Sequence, residues 1–199
     1  MAQLFTADDA WLGGLYELAM EIGARSDDRL RAALVALWDH PALTGCYLQR
    51  DREPSAQSRL SAAEAPIEGG THHLLGIALL PNGSRVACGS CIIREDAGPD
   101  WLDFYLSMGA LSAAYPIAAF PFDEERNPPG PWRREIEDWL AQIGLWVSGL
   151  ASCRLGLVGL EVSGMTYAEK VAVDGIPAKR YVAYLWPSTS GMVYHPRSV

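Results

Sequence analysis

Three apolar segments separated by turn signals constrain the fold of this chain more than any other feature. They span residues 72–80, 85–94 and 101–108. The sequence Pro-Asn-Gly-Ser separates the first two, and Asn-Gly between apolar segments is a strong signal for a two-residue type I′ turn. We therefore expect an antiparallel hairpin with a third strand beside it.

A turn at residues 82–83 fixes the expected pairing of the first two strands. Directly opposed residues share one face of a sheet, so Leu79 should face Val86 and Leu74 should face Cys91. One face of the hairpin would be bulky and apolar, and we expect it to face the core. The other would carry small residues that let a helix pack closely or leave room for a ligand. The expected core face comprises His73, Leu75, Ile77, Leu79, Val86, Cys88, Ser90 and Ile92, and the small residues are Gly76, Ala78, Ala87 and Gly89.

The hairpin also contains a Cys-x-x-Cys sequence, from Cys88 to Cys91. In redox and zinc sites the two thiols converge because the motif lies at a turn or at the start of a helix. Within a strand, residues three apart point to opposite faces. We therefore expect two divergent thiols that behave as small buried hydrophobic groups, and we predict neither a metal site nor a cofactor.

Helical spacing of apolar residues on both sides of the hairpin predicts the helices. Residues 7–22 show such spacing, and a second run begins after Ser26 and ends before Pro41, so we predict an N-terminal helix pair. The clearest amphipathic pattern spans residues 132–150, where large apolar residues recur at spacings of four and three and should form the buried stripe. The members of this stripe are Trp132, Ile136, Trp139, Ile143, Trp146 and Leu150. Pro131 suits the start of this helix, because its fixed φ and missing N–H carry no penalty there.

These elements predict an α+β fold in one domain, residues 1–199. We expect two layers, in which a largely antiparallel sheet of about six strands is packed by the N-terminal helix pair and by the long helix 132–150. The predicted strands span residues 43–50, 72–80, 85–94, 101–108, 154–162 and 180–186.

The charge of the chain limits its partners. The formal net charge is −8, and an acidic surface repels phosphate groups. We therefore predict that neither nucleic acid nor a membrane is a partner, and that a basic protein is the kind of partner this charge allows. The first residues show no basic region followed by an apolar one, so we expect no export signal and a cytoplasmic protein with reduced thiols.

Polar residues inside apolar strands are the candidates for a functional site, because no nucleophile elbow, phosphate-binding glycine loop, HExxH sequence or dinucleotide fingerprint occurs. Asp103 and Glu161 each interrupt an otherwise apolar strand. A buried carboxylate requires a partner or a cleft. The basic residues that could supply a partner are Arg94, Arg180, His72 and His73. The predicted binding residues are Asp103, Tyr105, Glu161 and Arg180.

Two functions from different classes fit these observations. The first is a non-catalytic protein-binding module of the inhibitor or toxin-neutralising type, favoured by the acidic charge, the many aromatic residues and the absence of a catalytic motif. It predicts an exposed patch that combines aromatic residues with carboxylates. The alternative is a small hydrolase or transferase in which Asp103 and Glu161 act as acid and base. That pairing requires the two carboxylates to lie within about 10 Å of each other in one cleft.

Overall fold

The computed structural model describes residues 3–67, 73–94, 96–117 and 130–199. Within these ranges, eight strands form one antiparallel sheet, which four α-helices accompany. None of the described helices has the length and apolar character needed to cross a membrane. The fold is therefore α+β with an antiparallel sheet, as predicted, but the sheet has eight strands instead of about six.

The strands are β1 (Leu15–Gly23), β2 (Leu43–Tyr47), β3 (His73–Leu79), β4 (Arg85–Arg94), β5 (Asp100–Ser107), β6 (Leu155–Leu160), β7 (Ala183–Ser188) and β8 (Gly191–His195). The helices are α1 (Asp27–Trp38), α2 (Met108–Ser112), α3 (Trp132–Leu150) and α4 (Ala168–Asp174), and two 3-10 turns lie at Pro54–Ala56 and Ala62–Glu64.

The first strand, β1, lies at the centre of the sheet, where the sequence predicted a helix over residues 7–22. The sheet order is β2-β3-β4-β5-β1-β6-β7-β8, and Leu18 is opposite both Phe104 of β5 and Val158 of β6. The predicted N-terminal helix pair is therefore wrong, and only its second helix, α1, is present. From residue 16 onward, large apolar side chains alternate with glutamate or alanine, which is the period of a strand. The large apolar members are Tyr16, Leu18, Met20 and Ile22, and the others are Glu17, Ala19 and Glu21.

The hairpin between β3 and β4 forms, but its predicted register is wrong by one residue. Leu79 is opposite Arg85. The Gly83 N–H donates to the Leu80 carbonyl at 2.9 Å, and Gly83 has a φ of 83°, so residues 80–83 form a β-turn that a left-handed glycine closes. The predicted two-residue turn would need an N–H at Pro81, and proline has none. Because a slip of one residue exchanges the faces of a strand, the β3 residues expected in the core face the opposite side of the sheet.

The helices α1 and α3 contact each other and both contact β1. The Ser26 hydroxyl caps α1 by accepting a hydrogen bond from the Arg29 N–H at 3.4 Å. At the other end of α1, the Trp38 ring lies on Gly45 and Gly76, where a Cβ would be 2.4 and 2.3 Å from the ring. The absence of a Cβ at Gly76 therefore accommodates a large aromatic side chain of α1, whereas Gly89 accommodates the Tyr105 ring.

The two cysteines of the Cys-x-x-Cys sequence lie on different faces of β4. Cys88 belongs to the core beneath the helices, whereas Cys91 is opposite Asp103. Neither forms a disulfide. Burial raises the pKa of both thiols, to about 12 for Cys91. The two thiols therefore diverge, as the strand assignment predicted.

The sheet face opposite α1 and α3 is covered near its two ends. Residues 3–14 cover one end, where the Phe5 ring packs edge-on against Tyr47 with ring centroids 5.9 Å apart. Residues 161–174, which include α4, cover the other end in an apolar cluster with Trp101. The part of the face between these two segments carries the polar residues described next.

Candidate functional site

The middle of this face brings several polar side chains together. Tyr105 is opposite Glu17, Asp103 is opposite Cys91, and Cys91 is in turn opposite His73. Because directly opposed residues share a face, all five side chains belong to the same side of the sheet. We call Glu17, His73, Cys91, Asp103 and Tyr105 the sheet-face site.

Glu17 and Asp103 form a buried acidic pair, and each residue is only 4% exposed. Ser163 contacts both, since its N–H donates to Glu17 Oε1 at 2.8 Å and its hydroxyl hydrogen-bonds to Asp103. Asp103 Oδ1 has no hydrogen-bond partner within the described residues. Burial raises the pKa of both carboxyl groups, and the charge of Glu17 helps to raise the pKa of Asp103 to about 7. Asp103 therefore gains or loses its proton near neutral pH, far above the range of an exposed aspartate.

The glutamates of β1 also bind residues 161–174, the segment that covers the sheet near Trp101. Glu21 is fully buried, and its carboxylate accepts the Ala168 N–H at the start of α4 at 2.7 Å, where the helix dipole favours a negative charge. Arg154 lies 3.3 Å from the other oxygen of Glu21. Together with the bond between Ser163 and Glu17, these contacts hold α4 and the preceding loop on the sheet. Both glutamates therefore have a structural role.

On the other side of the acidic pair, Tyr105 and His73 border an open pocket. The Tyr105 ring lies over Gly89, where a Cβ would be 2.4 Å from the ring, and its hydroxyl is 2.9 Å from His73 Nδ1. Burial raises the pKa of Tyr105, whereas partial desolvation and the positive charge of Arg50 lower the pKa of His73. The hydroxyl therefore keeps its proton at pH 7, and the imidazole is mainly neutral. The pocket has a volume of about 390 Å³ and is lined by Trp11, Leu15, Leu48, Arg50, His73, Leu75, Tyr105 and Ser107.

The four predicted binding residues do not all lie together. Asp103 and Tyr105 belong to the sheet-face site. Glu161 is exposed just beyond β6, and its charge helps to raise the pKa of Glu17, so it borders the site. Arg180 lies elsewhere, where its side chain donates to backbone carbonyls near the end of the chain. The structure thus groups three of the four predicted residues around Glu17.

The basic residues expected to partner these carboxylates interact with other groups. Arg94 forms ion pairs with Asp27 at 2.7 Å and with Asp100 at 2.9 Å. His72 lies outside the described residues. Asp103 consequently forms no salt bridge with the part of the chain that the structure describes. The same part contains no group of three or more His, Cys, Asp or Glu side chains placed to hold a metal ion.

A second feature, on the helix side of the molecule, is a groove of about 410 Å³ between α1 and the end of α3. Leu150 is 63% exposed at its edge, and Trp146 beside it is 41% exposed and donates its indole N–H to the Ala36 carbonyl at 2.9 Å. The sequence predicted Trp146 and Leu150 on the buried stripe of this helix. Earlier members of that stripe, Ile136 and Ile143, are buried, but toward the end of α3 the structure buries Val147 instead of Trp146 and Leu150. We call this surface the α1–α3 groove. Its lining residues are Asp28, Arg31, Ala32, Val35, Ala36, Asp39 and Leu150.

Carboxylates border the apolar part of the α1–α3 groove. Asp28 and Asp39 are exposed, and neither forms an ion pair with a described residue. Asp39 is the C-cap residue of α1, and the last turns of α1 and α3 contain no basic residue, so the partial negative charge of the helix ends adds to that of the carboxylates. Arg31 also lines the groove and keeps its positive charge, but its guanidinium donates to the Ala65 carbonyl at 2.6 Å, and the two carboxylates outnumber it. The groove is therefore apolar with a negative rim.

The sequence analysis identified neither Glu17 nor the α1–α3 groove, although a pattern in the neighbouring residues indicates each of them. Glu17 lies in a segment with a strand-like alternation over residues 16–22, which the helical spacing of other residues obscured. The groove corresponds to a second stripe of α1, at spacings of four, three and four. The members of this stripe are Asp28, Ala32, Val35 and Asp39.

Comparison of the chain with protein-family models, with curated proteins and with solved structures gives no match. The functional assignment therefore rests on the geometry and charge of these two surfaces.

Proposed function

We propose that this chain is a non-catalytic protein-binding module, of the inhibitor or toxin-neutralising type, that docks a basic protein in the α1–α3 groove. The observation that carries the proposal is the exposed Leu150 together with the unpaired carboxylates of Asp28 and Asp39. The net charge of −8 would attract such a partner over a longer range. The same charge disfavours nucleic acid and anionic membranes, and we keep the expectation of a cytoplasmic protein.

The dimensions of the groove suit an amphipathic helical or extended segment. Asp28 and Asp39 are eleven positions apart on α1, which corresponds to about 16 Å at 1.5 Å per residue. Lys or Arg side chains of a partner can place their aliphatic stems on Leu150 and Val35 while their charged ends reach the carboxylates. Apolar contact then supplies affinity, and the two carboxylates select a basic partner and its orientation.

The alternative, a hydrolase or transferase with Asp103 and Glu161 as acid and base, has one observation in its favour. The pKa of Asp103 is about 7, which suits a group that exchanges protons at neutral pH. However, Asp103 is 4% exposed, so a substrate reaches it only if the covering segment moves. This alternative predicts a small molecule that co-purifies with the wild type and is lost from Asp103→Ala/Glu161→Ala.

The binding proposal is tested by replacing the two groove carboxylates with their neutral isosteres. Capture from native lysate should retain a basic protein in a stoichiometric and salt-sensitive manner. We expect Asp28→Asn/Asp39→Asn to weaken that binding about tenfold, measured by titration calorimetry with the identified partner. Asp8→Asn/Asp96→Asn is the matched control, because it changes the net charge equally at exposed positions outside the groove.

Three results would contradict the proposal. The control could weaken binding as much as the groove variant, which would show that net charge alone determines the affinity. The retained protein could be a second copy of this chain, detected as a dimer by sedimentation. The lysate could contain no basic protein that binds.

A further inference from the structure

We propose that the pocket beside the sheet-face site binds a small organic acid, with the carboxylate on Arg50 and the apolar body against Trp11 and Leu48. This pocket lies on the face of the sheet opposite α1 and α3, so it is separate from the α1–α3 groove and independent of the function proposed above. Its volume of about 390 Å³ lies within the range of small-molecule sites. The pocket is therefore large enough for a ligand with one aromatic ring and a short acidic side chain.

The walls of the pocket are mainly apolar and partly preorganised. Trp11 donates its indole N–H to the Phe5 carbonyl at 2.9 Å, which fixes the orientation of the ring. Leu48 is 57% exposed at the rim. Covering its apolar surface would be favourable, because removing apolar surface from water lowers the free energy. Leu15 and Leu75 complete the apolar lining. A ligand that covers Leu48 and contacts Trp11 would therefore remove apolar surface from water.

Hydrogen bonds within the protein determine which polar groups of the pocket can still donate to a ligand. The Tyr105 hydroxyl keeps its proton and can donate to His73 Nδ1 at 2.9 Å. A neutral imidazole that accepts at Nδ1 carries its proton at Nε2, so His73 offers that N–H as a donor. Ser107 already donates its hydroxyl to the Ala10 carbonyl and accepts the Ala110 N–H. The His73 Nε2–H and the guanidinium of Arg50 are therefore the donors that remain, and they favour a ligand whose polar end is an acceptor.

The positive charge of Arg50 favours a ligand whose polar end is negatively charged. It forms no hydrogen bond or ion pair with any described residue, and a guanidinium presents paired N–H groups that match a carboxylate. The buried Glu17 lies opposite Tyr105 on the neighbouring strand, and its negative charge disfavours a dianion. A single carboxylate therefore fits this environment better than a phosphate.

The test uses the full chain and three probes that differ in the polar group: phenylacetate, phenylacetamide and phenyl phosphate. Binding is followed by amide chemical shifts in ¹H–¹⁵N spectra. We expect phenylacetate to shift the amides of His73 and Tyr105 and to bind about tenfold more tightly than phenylacetamide. Arg50→Gln should weaken phenylacetate about tenfold, whereas Arg52→Gln, on a residue that lines an adjacent hollow, should leave its affinity unchanged.

Four results would overturn the proposal. No shift at His73 and Tyr105 with millimolar phenylacetate would exclude a site for apolar acids. Equal affinity for phenylacetate and phenylacetamide, or equal losses in Arg50→Gln and Arg52→Gln, would exclude recognition of the carboxylate by Arg50. Tighter binding of phenyl phosphate would assign the pocket to phosphate groups instead.

Discussion

Replacing Asp103 with asparagine should stabilise this protein at pH 8 by about 2–4 kcal/mol, which is the free energy of a pKa shift of about three units. Burial and the charge of Glu17 raise the pKa of Asp103 to about 7 in the folded state, whereas an unfolded aspartate has a pKa near its ordinary value of about 4. Above pH 7 the wild type must therefore hold an ionised, buried carboxylate without a salt bridge. Asparagine removes that charge and keeps an oxygen that can accept the hydrogen bond of Ser163.

The sign of the pH dependence follows from proton binding. Between about pH 4 and pH 7 the folded state binds a proton at Asp103 that the unfolded state has lost, so this residue makes the free energy of unfolding decrease as the pH rises. The advantage of Asp103→Asn should consequently shrink as the pH falls from 8 toward 4. Urea unfolding of both proteins at pH 8 and pH 5.5 measures this difference.

The control for this prediction is Asp8→Asn, which removes an exposed carboxylate. Its effect on the free energy of unfolding should be within about 0.5 kcal/mol at both pH values. If Asp103→Asn were less stable than the wild type at pH 8, an unrecognised interaction of the ionised carboxylate would have to outweigh its burial.

The second large effect is expected from Gly109→Ala, which should loosen the N-terminal segment and lower the free energy of unfolding by about 2–4 kcal/mol. A Cβ at Gly109 would lie 1.8 Å from the backbone oxygen of Asp9 and 3.2 Å from that of Leu12. Backbone atoms cannot rotate away as the end of a flexible side chain can. The segment must therefore move, which breaks the bond from the Gly109 N–H to the Leu12 carbonyl at 3.0 Å and the bond from Met108 to Gly14 at 2.9 Å.

Hydrogen exchange and limited proteolysis would locate this effect. Amides of residues 4–6, which donate to the Glu53 carboxylate at 2.8–3.2 Å, should lose protection before those of the central strands. Gly149→Ala is the matched control, because it adds the same methyl group in a helix where no atom lies within 4 Å. We expect it to be neutral or slightly stabilising. Unchanged protection of residues 4–6 in Gly109→Ala would contradict the predicted displacement.

The elements that could be predicted from sequence are those whose signals are local. The alternating apolar runs of β4 and β5 and the amphipathic pattern of α3 gave bounds within about two residues of the structure. The register of the β3–β4 hairpin could not be read from Asn-Gly alone, because Pro81 lacks the N–H that the two-residue turn requires. The register error moved the β3 side chains to the wrong face and hid the place of His73 beside Tyr105.

The buried carboxylates of β1 show why the site was harder to predict than the fold. A glutamate in a central strand contradicts the usual preference for apolar residues at buried positions. Glu17 and Glu21 are accommodated because Ser163 and Ala168 present backbone N–H groups to them, from 146 and 147 residues further along the chain. No sequence pattern within β1 predicts those partners. Only the assembled sheet brings them together.

The central position of β1 has a consequence for synthesis on the ribosome. This strand is translated well before its neighbours, β5 and β6, which begin at Asp100 and Leu155. It cannot be paired on both sides until about 140 further residues have been translated, and contacts between such distant segments slow folding. Throughout that interval its apolar side chains and free hydrogen-bonding edges remain open to other chains. The stage of synthesis at which this chain is most exposed to aggregation is therefore expected to end when β6 has been translated and β1 can pair along both edges.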